Sequence, residues 1–381
     1  MNYWFFYDKI YLQRGYFMRV VVGMSGGVDS SVAAYLLLKE GYDVVGLFMK
    51  NWDSNINSDK EGIVDGICPQ EQDYIDAKRV CDKLNIPLYR TDFIKEYWDD
   101  VFSYFLNELK LGRTPNPDIM CNKYIKFDAF IKEAKKLGAD KVATGHYARI
   151  VGNKLLRGID LNKDQTYFLS QVNIEVLKDV LFPVGNYYKK DIKSIAQEIG
   201  LDIYNKKESM GICFIGERHY QSFVSNYLKP NPGNIVNIEN MEVISTHEGL
   251  MNYTIGQRRN TGVSGYKKRH YVVGKHTEDN TLYIAFDESE KYLSSNSVLL
   301  DTINFISSTR PTFATARFRY RSKDIPVSIE YLENNEIKLK YDNCLSVTPG
   351  QASVIYLGEE VILGGIIKEV YKDNEKIWYL S

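Results

Sequence analysis

The chain has 381 residues, 44% of them hydrophobic and 25% charged, and its 48 basic side chains nearly balance 49 acidic ones. This composition is that of an ordinary globular protein with room for two or three domains. A net charge of −1 excludes a strongly cationic nucleic-acid binder, so any RNA contact has to come from local basic patches. Neither a secretory signal nor an apolar run of the roughly 20 residues that span a bilayer is found. We therefore expect a cytoplasmic protein with no membrane partner.

The first two thirds of the chain predict alternating strands and helices. A β-branched run predicts a first strand at residues 19–23, and a helical pattern over residues 30–40 ends at Gly41. The later predicted elements are strand 43–49, helix 74–84, strand 87–91, helix 123–137 and strand 141–144. This order predicts an α/β domain with a doubly wound parallel sheet.

After about residue 216 the pattern changes to short β-branched segments separated by turns. The predicted strands are 234–236, 271–274, 281–285, 314–320, 327–331, 336–341, 352–356 and 361–370. Their spacing predicts two smaller β-rich domains, the last of them a closed β-barrel. The expected division is an N-terminal extension (1–17), the α/β domain (18–216), a central β-rich domain (217–290) and the barrel (291–381).

A glycine- and serine-rich turn joins the first strand to the first helix. It reads Gly23-Met24-Ser25-Gly26-Gly27-Val28-Asp29-Ser30-Ser31. Its amides, hydroxyls and helix N-terminus suit a phosphate group, and Asp29 is a candidate Mg²⁺ ligand. The turn lacks the lysine of the ordinary P-loop, and a tight turn without a ligand is the alternative.

Met49 and Gly145 end later strands, at the sheet edge where such folds bind nucleotides. A core methionine and a turn glycine would explain the same two residues.

Two cysteines have distinctive sequence surroundings. Cys121 follows Asn116-Pro117-Asp118 and precedes a predicted helix, whose N-terminus would favour a reactive thiolate. Cys213 lies in Gly211-Ile212-Cys213-Phe214, where core packing is the alternative. The five cysteines contain no CxxC pair, so neither a disulfide scaffold nor a structural zinc site is expected. The remaining three are assigned to packing or a mobile loop: Cys68, Cys81 and Cys344.

Eight motifs carry a resemblance to a known family. Between residues 23 and 352 they are, in order, GMSGGVDSS, TPNPDIMCNKYIKF, ATGHYAR, RGIDLNKDQTYFL, GICFIGER, YTIGQRR, RFRYR and VTPGQA. Together they resemble the bacterial tRNA-specific 2-thiouridylases of the ATP-pyrophosphatase superfamily, which convert the wobble uridine (position 34) of certain tRNAs to 2-thiouridine. The resemblance implies an adenine nucleotide alpha hydrolase-like PP-loop domain ahead of the two β-rich domains.

The resemblance also assigns roles to residues. Cys121 matches the family's nucleophile and Cys213 its persulfide-bearing cysteine, and the two form a transient disulfide. The segment Asn116-Pro117-Asp118 matches positions that meet the target base, and Asp118 is also a candidate base. The positions that match ATP contacts are Gly23, Met24, Ser25, Gly26, Gly27, Val28, Asp29, Ser30, Met49 and Gly145. The positions that match tRNA contacts are His146, Lys163, Asp164, Gln165, Arg319, Tyr320 and Gln351.

The implied reaction uses ATP and Mg²⁺ and yields 2-thiouridine, AMP and pyrophosphate. Adenylation turns the C2 oxygen of uridine into a leaving group. A persulfide on Cys213 then either attacks C2 or is reduced by Cys121 to release sulfide. The implied partners are tRNAs with a wobble-uridine anticodon of the Lys, Glu or Gln type, and a persulfide donor such as a cysteine desulfurase or relay protein. An iron–sulfur cluster held by Asp118, Cys121 and Cys213 stays open as an alternative cofactor.

Two other functions compete with thiolation. One is a synthetase that forms an amide or guanidine on a small metabolite, which would use SGGVDS but neither cysteine. The other is a catalytically silent RNA-binding protein. Two basic runs interleaved with aromatic residues, 258–271 and 310–323, favour RNA contacts, with solvated strand faces as the alternative.

Two segments depart from the family pattern. Residues 1–17 are extra, so we expect a chain that begins at Met18 to be active. Glu208-Ser209-Met210 stands where an acid-Ser-Thr sequence is expected.

Overall fold

A computed structural model of the chain describes residues 17–54, 56–57, 69–207, 220–266 and 268–380. The N-terminal extension up to residue 16, Cys68 and Cys213 lie outside these ranges. One compact unit contains the described parts of residues 1–97, 122–166 and 174–210, and a second contains those of residues 98–121, 167–173 and 211–381. Within the ranges that the structure describes, no helix is long and apolar enough to cross a membrane.

The first unit is built on a parallel sheet. Its strands are β1 (Arg19–Met24), β2 (Asp43–Lys50), β3 (Leu88–Asp92), β4 (Lys141–Ala143), β5 (Ala148–Val151), β6 (Lys154–Arg157) and β7 (Val180–Leu181). The sheet order is β3-β2-β1-β4-β7, with every neighbouring pair parallel, and β5 and β6 form an antiparallel hairpin. Because the central strand β1 is covered on both faces, its residues Val20, Val21 and Val22 form an uninterrupted apolar run without exposed surface. The predicted α/β fold class is confirmed.

Helices connect these strands. The α-helices of the first unit are Val28–Lys39, Pro69–Leu84, Ile94–Tyr97, Phe130–Lys136, Ile174–Leu177 and Lys189–Glu198, with short 3-10 turns at Pro183–Asn186 and Asp202–Asn205. The helix Val28–Lys39 packs Val32 and Leu37 against the sheet, in one apolar core with Val20, Val44 and Phe48. The turn between β1 and this helix, residues 25–27, is the predicted phosphate loop, and it is thereby held between two buried elements.

The second unit is mainly β-structure. Its strands are β8 (Gly233–Asn237), β9 (Glu242–His247), β10 (Tyr271–His276), β11 (Thr281–Ala285), β12 (Ser294–Phe305), β13 (Phe313–Arg317), β14 (Ile325–Tyr331), β15 (Ile337–Leu345), β16 (Ala352–Leu357), β17 (Glu360–Lys372) and β18 (Glu375–Lys376). Strands β10-β11-β8-β9 form one sheet, in which the β11–β8 pair is parallel. Strands β12-β15-β14-β13-β16-β17 form a second sheet that closes through the antiparallel β12–β17 pair. This six-stranded barrel confirms the predicted architecture.

Alternating residues fill the barrel. Val298, Leu300, Leu339, Ile355 and Ile367 have no exposed surface and belong to one apolar core. The helical segments of this unit are Trp98–Phe102 (π), Ser103–Lys110, Pro117–Met120, Tyr220–Ser225, Leu250–Asn252 (3-10), Ser289–Leu293 and Trp378–Leu380 (3-10).

Several predicted boundaries are wrong. The helix expected to start at Lys123 begins at Pro117, because the Asn116 side chain accepts a hydrogen bond from the Asp118 amide at 3.2 Å and Pro117 occupies the first helical position. The strand expected to reach Tyr320 ends at Arg317, ahead of a turn in which Arg321 takes a φ of 64°. The hairpin β5–β6 and the strands β9 and β12 were not predicted.

Candidate active site

The phosphate loop crosses from β1 into the helix Val28–Lys39. Gly26 has a φ of +69°, and a Cβ on it would lie 2.2 Å from the carbonyl oxygen of Asp73, so only glycine fits here. The hydroxyl of Ser30 accepts from the amide of Ser25 at 3.2 Å and donates to the Gly27 carbonyl at 3.1 Å. Ser31 donates to that same carbonyl at 2.8 Å. The side chains thus fix the loop shape and leave its glycine amides at the helix N-terminus, the arrangement that binds anions.

Two more predicted nucleotide positions meet this loop. The space beside Gly23, where a Cβ would be, is 3.6 Å from the terminal methyl of Met49 at the end of β2. A Cβ on Gly145 would lie 2.7 Å from the amide nitrogen of Ser30, so the chain after β4 packs directly on the start of the helix. Strands β1 and β4 are neighbours where the strand order reverses, and their carboxyl ends form the crevice in which ligands of such sheets bind.

Asp29 takes part in an ion pair that the sequence analysis missed. Lys189 Nζ lies 2.7 and 2.8 Å from its two carboxylate oxygens, and the hydroxyl of Tyr147 donates to it at 2.8 Å. Both partners are buried, with 8% and 2% of their surface exposed. The carboxylate of Asp29 is thus held in place by one buried cation and one buried hydroxyl.

A second lysine holds the opposite side of the loop. Lys206 Nζ donates to the Gly26 carbonyl at 3.1 Å and lies 2.8 and 2.6 Å from carboxylate oxygens of Asp73 and Asp76. Burial opposes the charge, but the hydrogen bonds to the two carboxylates prevail and raise the pKa of Lys206. A permanent positive charge therefore tethers Gly26 to the helix Pro69–Leu84.

Cys121 lies one turn inside the helical segment that starts at Pro117. The α-helix Pro117–Met120 widens into a π-helical stretch at Cys121–Ala129, in which Phe127 has non-helical angles. The cysteine is 1% exposed, whereas Asp118 is partly exposed. Widened helical turns of this type are frequent at functional sites.

The loop ahead of Asn116 is bound to a turn of the barrel. The Thr114 amide donates to the Pro349 carbonyl at 3.2 Å, and Gln351 Nε2 donates to the Thr114 carbonyl at 2.9 Å. Gly350 in that turn has a φ of +88°, and a Cβ on it would lie 2.8 Å from the Cβ of Arg113. Gln351 is thus a support of the loop that leads to Asn116-Pro117-Asp118.

Arg319 and Tyr320 lie in the turn that follows β13. Arg319 Nη2 donates to the Ile255 carbonyl at 3.0 Å and to Thr348 Oγ1 at 2.7 Å, and burial lowers the pKa of Arg319. The ring of Tyr320 lies 4.3 Å from that of Phe168, centroid to centroid.

The other predicted tRNA positions lie in two segments of the first unit, one after β4 and one after β6, which are joined by hydrogen bonds between Tyr147 and Gln165. His146 is 8% exposed, its Nδ1 is 2.7 Å from Thr144 Oγ1, and burial followed by the charge of Lys126 holds its pKa well below the ordinary value. Asp164 is buried and accepts from the Thr166 hydroxyl at 2.9 Å, while Gln165 exchanges hydrogen bonds with both backbone groups of Tyr147 at 3.0 Å. Lys163, next to them, is partly exposed.

The chain is similar to known proteins along most of its length. Three family profiles match: "tRNA methyl transferase HUP domain" over residues 18–217, "tRNA methyl transferase PRC-barrel domain" over 221–286 and "Aminomethyltransferase beta-barrel domain" over 295–367. The chain is 50% identical over 367 residues to the tRNA-specific 2-thiouridylase MnmA of Metamycoplasma arthritidis, covering 95% of this chain and 99% of that one. It is 50% identical over 371 residues to the MnmA of Geobacillus thermodenitrificans, covering 95% and 98%. The chain belongs to the tRNA-specific 2-thiouridylase family.

Membership in the 2-thiouridylase family, whose members are tRNA sulfurtransferases, agrees with the resemblance noted in the sequence. In the first unit, the ten predicted nucleotide positions lie close together. In the second unit, the Gln351 side chain contacts the loop that precedes Asn116. Cys213 lies outside the described residues, so its pairing with Cys121 stays a prediction. Within the described ranges, no three His, Cys, Asp or Glu side chains are grouped to hold a metal ion.

Sequence reasoning missed the residues that brace the phosphate loop of this 2-thiouridylase. Tyr147 stands in the quoted ATGHYAR motif but was given no role. Lys189 and Lys206 follow Asp29 and Asp73 by 160 and 133 residues. No local pattern indicates an ion-pair partner at such a separation.

Proposed function

We propose that this protein is an ATP-dependent tRNA-uridine 2-sulfurtransferase that replaces the C2 oxygen of the wobble uridine by sulfur. The observation that supports the proposal most is the packing of Gly145 on the backbone of Asp29 and Ser30, which brings the end of β4 to the glycine-rich loop in a member of this family. The substrates are ATP, a tRNA with uridine at position 34 and a persulfide. The proposed place of action is the cytoplasm.

Adenylation is the task of the first unit. The pyrophosphate oxygens would accept from the amides of Gly26 and Gly27 and from the Ser25 hydroxyl, while Ser30 shapes the loop through its bonds to Ser25 and Gly27. A bound Mg²⁺ would neutralise phosphate charge, with Asp29 as its protein ligand. Lys189 contacts both carboxylate oxygens of Asp29, so Asp29 binds Mg²⁺ only if Lys189 gives up one of these contacts or shares that oxygen with the ion. The Lys189 ammonium would then face the departing pyrophosphate.

Sulfur transfer is the task of the two cysteines. In the direct route the terminal sulfur of the Cys213 persulfide attacks C2, and AMP leaves with the former C2 oxygen. The Cys121 thiolate then attacks the inner sulfur, which forms the Cys121–Cys213 disulfide and leaves the outer sulfur on the base. In the alternative route Cys121 attacks first and releases sulfide, which becomes the nucleophile at C2. A thiol reductant restores the two cysteines after either route.

The remaining positions hold the tRNA. Asn116-Pro117-Asp118 meets the target base, with Asp118 as the group that accepts a proton from the incoming sulfur nucleophile. The tRNA contacts are assigned to His146, Lys163, Asp164, Gln165, Arg319, Tyr320 and Gln351. Because the base is stacked in an anticodon loop, the enzyme has to turn it outward before the reaction.

A reconstituted reaction tests the proposal. The full chain is incubated with ATP, Mg²⁺, a persulfide donor and a Lys-type tRNA transcript, and nucleosides are analysed by mass spectrometry. We expect 2-thiouridine and equimolar AMP, and neither with a transcript that has cytidine at position 34. AMP formation from a small amine without tRNA would favour a metabolite synthetase, and tRNA binding without AMP would favour a silent binder.

A further inference from the structure

The second unit contains a cavity with a basic lining that none of the assigned roles uses. Its volume is about 220 Å³, more than ten times the roughly 15 Å³ that one water molecule needs by the same measure. The ionisable side chains that line it are Arg113, Lys275, Lys368, Lys376 and Glu369. The cavity is therefore large enough for a small anion, and four of its five ionisable side chains are basic.

Three of the four cations already have carboxylate partners. Lys368 Nζ lies 2.7 Å from Glu336 Oε1, and Lys376 Nζ lies 2.9 Å from Glu369 Oε1. Arg113 Nη1 lies 3.5 Å from Glu108 Oε2. These pairs make a basic rim whose charges are largely balanced.

Lys275, on β10, differs from them. It is 4% exposed, and among the described residues its ammonium has one partner, the Tyr253 carbonyl oxygen at 2.9 Å. A lysine ammonium has three N–H groups, so two are left for another acceptor. Burial lowers the pKa of Lys275 to about 7, as expected for an amine that lacks a counter-charge.

A buried lysine without a carboxylate destabilises a fold. Residues that reduce stability in this way are typical of binding sites, where the ligand supplies what the protein lacks. An anion in the cavity would accept from the two remaining N–H groups and favour the charged form of the amine. The shape and charge of the lining thus point to a ligand with several acceptor oxygens.

We propose that this cavity binds a phosphate group, held by Lys275 and Arg113, and that the group is a backbone phosphodiester of the tRNA. The cavity wall includes Gly112, Thr348 and Pro349. These residues flank the hydrogen bonds that join Thr114 to Pro349 and to Gln351, next to the segment assigned to the target base. A phosphate bound here would fix the RNA backbone beside that loop, so the inference rests on the proposed function.

Replacement of the lysine in the full chain tests the site. Lys275→Met should weaken tRNA binding about tenfold at low salt and lower the slope of log K against log salt by about 1. The same variant should melt at or above the wild-type temperature, because it removes a buried charge, and this separates lost binding from misfolding. Lys340→Met, which removes an exposed lysine outside the cavity lining, should leave affinity and slope unchanged.

The pH dependence of tRNA affinity is a second test, because a purely structural role of Lys275 would not change it. Wild-type affinity for tRNA should fall between pH 6.5 and 8.5 more than that of Lys275→Arg, because the arginine stays charged. The other ionisable groups of the lining, Arg113, Lys368, Lys376 and Glu369, are held in ion pairs. The neighbouring His276–Asp279 pair is present in both proteins and cancels in the comparison.

The outcomes separate the sources of the phosphate. Unchanged tRNA affinity, salt slope and pH dependence in Lys275→Met would overturn the proposal. If inorganic phosphate raises the melting temperature of the wild type but not of Lys275→Met, while tRNA affinity is equal, the cavity serves a free phosphate and the RNA assignment is wrong. If tRNA affinity falls as expected but the wild type forms no 2-thiouridine, the cavity stands and the proposed function fails.

Discussion

The carbonyl oxygen of Thr114 accepts a hydrogen bond from Gln351 Nε2 at 2.9 Å. Gln351 was expected to contact tRNA, and this bond gives it a second task inside the protein. The loop it holds continues through Asn116 to Cys121, so a barrel residue positions the segment assigned to the target base.

The Gln351 bond predicts a defect in thiolation rather than in ATP use. Gln351→Leu should lower the rate of 2-thiouridine formation about tenfold, because the loop loses its anchor, while ATP binding stays unchanged. Gln171→Leu is the matched control: its Nε2 also donates to a backbone carbonyl at 2.9 Å, that of Thr302. Both variants should lose about 1 kcal/mol of stability. Equal rates in the two variants would show that Gln351 does not position the loop.

Gly26 predicts a sharp steric limit in the phosphate loop. Gly26→Ala should abolish ATP binding, since the new methyl group would meet the Asp73 carbonyl at 2.2 Å. Gly41→Ala is the control, because Gly41 also has a positive φ, +89°, but nothing lies within 4 Å of the added methyl group. That control should lose only about 1 kcal/mol of stability and keep ATP affinity. Calorimetric titration with a non-hydrolysable ATP analogue makes the comparison, and normal affinity in Gly26→Ala would rule out this loop as the site.

Asp29 predicts a defect confined to adenylation. Asp29→Asn should reduce tRNA-dependent pyrophosphate release at least a hundredfold with tRNA affinity retained, because it removes the carboxylate that pairs with Lys189 and that we propose as the Mg²⁺ ligand. Asp128→Asn, on an exposed helical position, is the control. A normal rate of pyrophosphate release in Asp29→Asn would remove this residue from the site.

We expect that substitution of either Cys121 or Cys213 stops sulfur transfer completely. Cys121→Ser and Cys213→Ser should each abolish 2-thiouridine while ATP binding persists, because a hydroxyl cannot carry or exchange sulfane sulfur. Cys81→Ala should stay active, since burial raises the pKa of the Cys81 thiol to about 12 and keeps it unreactive. Iron and labile sulfide in anaerobically purified wild type, lost in both serine variants, would instead support the cluster alternative.

Because His146 is buried with a lowered pKa, we expect the stability of the fold to depend on pH. Its pKa is lowered in the fold by burial first and by Lys126 second, so below about pH 6.5 the unfolded state takes up a proton that the folded state rejects. Its contribution to stability is therefore complete above pH 6.5 and is lost as the pH falls. His146→Gln should reduce the drop in melting temperature between pH 7.5 and 5.5 by a few degrees, about 1 kcal/mol. An identical drop in both proteins would mean that His146 is protonated in the fold.

Local patterns were enough for the elements with strong periodicity. The apolar run ending at Gly23 and the glycines after it predicted β1 and the phosphate loop, because a doubly buried strand and a positive-φ turn both restrict residue type strongly. The Asn116-Pro117 pair carries a capping signal that would have placed the helix start correctly. Strand β12 begins with Ser294, Ser295, Asn296 and Ser297, which resemble a turn, yet barrel closure places them in a strand.

Long-range contacts could not be predicted in the same way. The partners of Asp29, Gly26 and Thr114 lie more than a hundred residues away in the chain. Lys275 stands in an ordinary strand sequence, and its burial beside a cavity depends on packing that no local pattern encodes.

Nucleoside analysis of cellular tRNA tests the central claim most directly. Bulk tRNA from cells that lack this gene is digested and compared by mass spectrometry with tRNA from cells that carry the wild type or Cys121→Ser. The account predicts that 2-thiouridine derivatives disappear without the gene, return with the wild-type protein and stay absent with Cys121→Ser. Unchanged 2-thiouridine derivatives in the deletion strain, with no second thiolating enzyme present, would contradict it.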